Sequence, residues 1–135
     1  MKIASVWHLP WVVVICLVLG ACSDNTLGPR FEPEISNKTD NFQFQATGLT
    51  RVSQALHYTW QNTGTMANIN QASSISSGSA ILTIKDGAGT EVYRKDLNEN
   101  GTVITGEGAA GGWTIIVDLS KVNGTINFRA QKRTP

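Results

Sequence analysis

NFQFQATG, residues 41–48, places Phe42, Phe44 and Ala46 at every second position, with Gln43 and Gln45 between them. In an extended chain successive side chains point to opposite faces, so this stretch has one apolar and one polar face, as a half-buried β-strand does. The same period recurs downstream. SQALHYTWQN (53–62) sets Leu56, Tyr58 and Trp60 against Ala55, His57 and Thr59. AILTIKD offers Ala80, Leu82 and Ile84 inward, WTIIVDLS offers Trp113, Ile115, Val117 and Leu119, and TINFRAQ offers Ile126, Phe128 and Ala130. Turn chemistry separates these runs: NTG (62–64), SSG (76–78), DGAG (86–89), NENG (98–101) and NG (123–124). No stretch carries a useful 3.6-residue period. The pattern predicts an all-β domain, a single antiparallel β-sandwich of about seven or eight short strands over 41–135. MANINQ (66–71) has no convincingly apolar face, since Ala67, Ile69 and Gln71 alternate with Met66, Asn68 and Asn70. It reads as a polar edge strand.

Ahead of that domain stand Lys2, the apolar run WVVVICLVL (11–19) and LGAC (19–22). The run is shorter than the roughly 20 residues that a membrane-spanning helix needs, and has the length of a signal-peptide core. LGAC resembles the lipobox of bacterial lipoproteins, with Leu19 at −3, Gly20 and Ala21 small, and Cys22 at +1. The resemblance implies a signal peptide over 1–21, an acylated Cys22 and a membrane-anchored envelope protein. Ser23 at +2 implies the outer membrane rather than the inner. Residues 22–40, with Gly28, Pro29, Pro33 and many polar side chains, read as a flexible tether of roughly 20–25 Å, with Phe31 or Ile35 as its candidates for packing on the domain. The hairpin ILTIKDGAGTEVYRKDL, with GGWTIIVDL and GTINFRAQK, makes 41–132 similar to small secreted β-sandwich domains of uncharacterised bacterial lipoproteins. That similarity concerns folding motifs, and a fold does not assign a function.

Charge excludes one class of partner. Without residues 1–21, which hold Lys2, ten basic residues face ten acidic ones, and nucleic-acid binders carry a basic excess or a basic face. Cys16 goes with the signal and Cys22 takes the lipid, so the core must stabilise the fold without a disulfide. The N-x-T triplets at Asn37, Asn100 and Asn123 read as turn chemistry in such a protein.

Two motifs resemble ligand sites. DLNENGTVITGE (96–107) satisfies D-x-[DN]-x-[DN]-G-x5-E, which would make Asp96, Asn98, Asn100 and Glu107 calcium ligands. An EF-hand loop, however, needs flanking helices and an oxygen or water ligand at its ninth position, where this chain has Ile104 between strand-like and glycine-rich segments. The expectation is a β-turn and no calcium. GEGAAG (106–111) spells G-x-G-x-x-G, but a strand follows where a dinucleotide site requires a helix. His57 is the one histidine after residue 21, aimed outward, and no nucleophile motif accompanies it. Tyr58, Trp60 and Trp113 are in phase with the core, which leaves Tyr93 as the candidate exposed ligand contact. The expected function is therefore a lipid-anchored structural or interaction module, not an enzyme, with no cofactor beyond the lipid on Cys22. Its expected partners are the membrane and an envelope protein or glycan. The alternative is a carbohydrate-binding module, with or without calcium.

Overall fold

The computed structural model describes residues 25–27 and 31–134. Cys22, Ser23 and the signal segment lie outside the described residues. Seven strands and no helix are formed among those described: β1 (Glu34–Lys38), β2 (Asn41–Asn62), β3 (Ala67–Gln71), β4 (Ser74–Lys85), β5 (Glu91–Asp96), β6 (Gly101–Ile104) and β7 (Gly111–Lys132). The protein is all-β, and every strand pairing is antiparallel.

Two strands are far longer than the alternating runs implied. β2 and β7 have 22 residues each and stay paired from Asn41↔Gln131 to Asn62↔Gly111. Their register slips three times between Ala46 and Gln54. These slips are β-bulges, which add residues to one strand and bend it. Both strands therefore turn a corner and belong to two layers of one continuous sheet. The first layer runs β1, the first half of β2, the second half of β7, β3 and β6. The second runs the other half of β2, the other half of β7, β4 and β5.

Two expected turns are corner bulges instead. SSG (76–78) lies inside β4 and NG (123–124) inside β7, with Ser77 paired to Asn123. Gly78 has φ 85° and Gly124 φ 130°. A Cβ on Gly78 would collide with the Lys121 carbonyl, and one on Gly124 with that of Ser74. Glycine is required there both for its backbone angle and for its missing side chain. NTG, DGAG and NENG do lie between strands.

The residues that alternate inward fill the space between the layers. Phe42, Phe44, Trp60, Ala80, Leu82, Ile84, Trp113, Ile115, Val117, Ile126, Phe128 and Ala130 are all buried. Phe44 stacks on Phe128 at 5.3 Å between ring centroids, and Trp60 meets Trp113 edge-on at 5.9 Å. Each indole N–H is satisfied, Trp60 Nε1 donating to the Lys38 carbonyl and Trp113 Nε1 to that of Ala109.

The expected tether and the expected edge strand both need correction. Residues 34–38 form β1, in register with β2, and Phe31 packs against the core while Ile35 stays exposed. Farther upstream, Asn25 bridges to Val52 and Leu27 packs on the core. β3 is interior to its layer, between β6 and β7. Ala67 and Ile69 are fully buried and Gln71 nearly so, so the odd-numbered positions do form a core face.

Candidate functional site

Two of the four calcium-loop candidates, Asp96 and Asn100, use their side chains to hold the fold. Asp96 Oδ1 accepts from the Asn98 backbone N–H at 2.8 Å, and the Glu99 N–H donates to the Asp96 carbonyl. This turn delivers the chain from β5 to β6. Asn100 Oδ1 accepts from Ser73 N at 2.8 Å, while its Nδ2 donates to Ser73 O at 2.9 Å. Its carboxamide thus copies a backbone strand pairing. Glu107 is exposed on the later loop. Among the described residues no group of three or more His, Cys, Asp or Glu side chains is placed to hold a metal.

Asn37 and Asn123 act similarly. Asn37 Nδ2 donates to Thr59 O, and Asn123 Oδ1 accepts from Arg51 N while its Nδ2 donates to Ser77 Oγ. GEGAAG packs against Asp86. The Asp86 carboxylate accepts from the backbone N–H groups of Ala88, Thr90 and Ala109, and a Cβ on Gly108 would sit 2.6 Å from Asp86 Cβ. Hydrogen bonds to the charged form hold its pKa below the ordinary carboxylate value, the Ala109 bond first. The stability that they supply is present above pH 4 and is lost as pH falls through the lowered value.

Tyr93 is not a surface residue, contrary to expectation. Its side chain is 7 % exposed, and its hydroxyl donates to Gln71 Oε1 at 2.6 Å. Burial, followed by the Glu99 carboxylate, pushes its pKa up to about 12. Gln71 Nε2 also donates to the Asp96 and Glu99 carbonyls, which ties β3 to the β5–β6 turn. Trp60 and Trp113 are core residues, and Tyr58 lies half-buried against Phe42 and Phe44. No aromatic platform is formed by these residues. His57 is exposed on the outer side of the second layer.

The outer face of the first layer has a chemistry that was only partly visible in the sequence. Strand order brings Gln45 beside Glu34 and Asn127, and Gln43 beside Ser36 and Arg129. Arg129 in turn neighbours Asn70, and Gln131 neighbours both Asn41 and Asn68. Seven carboxamides, those of Asn41, Gln43, Gln45, Asn68, Asn70, Asn127 and Gln131, therefore occupy outward positions on three adjacent elements, the first half of β2, the second half of β7 and β3. With its amide oxygen turned toward the guanidinium, Gln43 accepts from Arg129 Nε at 2.7 Å and Nη2 at 2.8 Å. Asn70 Nδ2 donates to Thr102 Oγ1 at 2.8 Å. A shallow groove of about 390 Å³ crosses this face, lined by Glu34, Ser36, Gln43, Gln45, Asn127 and Arg129.

Carboxamides each present two donors and a carbonyl acceptor without charge. A flat array of them can pair with partner groups that both donate and accept. Gln43 and Gln45 were legible as outward-facing, but their alignment with Asn68, Asn70 and Asn127 depends on strand order. No known family model matches this chain, and no curated protein matches it.

Proposed function

We propose that this protein is a lipid-anchored module of the bacterial cell envelope that acts by binding, with the carboxamide face of its first layer as the contact surface. LGAC supports the anchor at Cys22, and Ser23 supports the outer membrane as its destination. One observation carries the binding role. Asparagine is disfavoured in strands, yet outward positions on neighbouring strands hold carboxamides in one patch. Folding alone would be served better by threonine or valine at those places. The predominance of uncharged carboxamides on this face, around Glu34, Ser36 and Arg129, supports binding as the role.

Carbohydrate is the second reading, and the groove favours it. Sugar hydroxyls donate and accept, as carboxamides do, and the groove's volume lies in the range of small-ligand clefts. Recognition would run through hydrogen bonds to hydroxyl edges rather than stacking on aromatic rings.

Photo-crosslinking in intact cells tests the binding face. A crosslinking residue at Gln45 should trap a specific envelope component, and the same residue at His57 should not. Trapping from His57 alone, or from neither position, would contradict the assignment. A panel of neutral glycans tests the second reading: binding should fall at least tenfold in Arg129→Ala and be unchanged in His57→Ala. A flat panel would remove carbohydrate and leave a protein partner.

A further inference from the structure

The segment behind the anchor is short in the folded protein because its start is already docked. Asn25 N donates to Arg51 O at 2.9 Å, Ser53 N donates to Asn25 O at 2.8 Å, and Asn25 Nδ2 donates to Thr50 O at 2.7 Å. Leu27 N then donates to Gln54 Oε1 at 2.8 Å, and the Leu27 side chain packs on the core. These contacts fix the chain at the bulged corner where β2 passes between layers. Two residues, Ser23 and Asp24, separate Cys22 from Asn25, and three residue steps of a fully extended chain, at most about 3.6 Å each, span roughly 11 Å in all. An expected leash of 20–25 Å is thereby cut by half.

We infer that the bulged corner rests directly on the bilayer surface, with lipid headgroups as its partner. The inference depends on acylation of Cys22, as proposed above. The composition of the corner suits that position. Segments 47–53, 74–79 and 120–125 hold two charged residues, Arg51 and Lys121, both basic and exposed. Exposed hydroxyl residues, Thr50, Ser76, Ser77 and Ser120, accompany them. Basic residues near a membrane are attracted to anionic headgroups. Leu49, Val52 and Val122 are buried, so no apolar wedge is offered to the acyl region. The corner sits on the headgroups without entering the bilayer.

This placement orients the rest of the molecule. Strand residues 111–119 rise about 30 Å at roughly 3.3 Å per residue, so the loops around Asp86 stand at the far pole. The carboxamide face then rises beside the membrane, reachable from the side.

The test uses the full lipidated protein in vesicles of phosphatidylethanolamine and phosphatidylglycerol. Cys22 is the one cysteine after residue 21 and is consumed by the lipid, so an introduced cysteine is labelled alone. A fluorophore at Thr50→Cys should be quenched several-fold more by headgroup-attached quenchers than one at Ala88→Cys. Equal quenching in protein that floats with the vesicles would overturn the corner placement while leaving the anchor intact. Protein that fails to float would overturn the anchor, and the placement with it. Inserting ten Gly/Ser residues after Ser23 should lower quenching at position 50 toward that at position 88. Undiminished quenching would show that the docked segment does not set the position.

Discussion

The second layer turns outward Ile81, Thr83, Thr114 and Ile116, with Lys85, Arg94 and Asp118 among them. Thr83, paired with Arg94 on one side and Ile116 on the other, is 7 % exposed even there. The first layer turns outward carboxamides on adjacent strands, with Glu34, Lys38 and Arg129 among them. Both faces follow the same alternation and share two strands. The second is what a sheet uses when its outer face has only to be stable and soluble, since β-branched side chains fit a pleated surface. The first gives up that fit. On the proposed function, that face is the one kept for a partner.

An inward carboxamide sharpens the contrast. Gln71 holds the Tyr93 hydroxyl and two backbone carbonyls, so Gln71→Leu leaves buried polar groups unpaired. Urea unfolding should show a loss of about 2–3 kcal/mol, with binding by the outer face retained. An alkaline titration probes the same network. Below pH 10 Tyr93 is neutral whether folded or unfolded, and its full contribution is present. Between pH 10 and the folded value of about 12, the unfolded chain ionises first and stability falls with rising pH. The loss is about 2 kcal/mol, read as the difference between the wild-type protein and Tyr93→Phe. The smallest effect belongs to the ordinary face. His57→Thr should change stability by no more than about 0.5 kcal/mol and leave binding unaltered; a large effect on binding would move the contact surface to the second layer.

The core was legible because its residues keep strict alternation. Phe42 and Phe44, Trp113 to Leu119, and Ile126 to Ala130 all point where period two aims them. Strand length was not legible. At 47–53 and 120–125 the alternation breaks while backbone pairing continues, and the glycines that permit a bulge are the same residues that mark a turn. β3 was obscured because its core face is Ala67, Ile69 and Gln71, one small and one polar residue around a single isoleucine. Tyr93 shares its phase with Glu91, Lys95 and Leu97, so neither side of β5 announced itself. EISNK was hidden by the polar, proline-containing stretch before it and by its five-residue length. The carboxamide patch could be read only in part, because it is assembled from β2, β3 and β7, whose order the sequence does not state.

On the proposed function the outer carboxamides serve a partner and not the fold. The most direct test is urea unfolding of the double variant Asn68→Thr/Asn127→Thr, which replaces two poor strand formers with a good one. The variant should be more stable than the wild type by about 1 kcal/mol, with weakened trapping of the partner from position 45. A variant less stable than the wild type would contradict that function, because the carboxamides would then be holding the sheet together themselves.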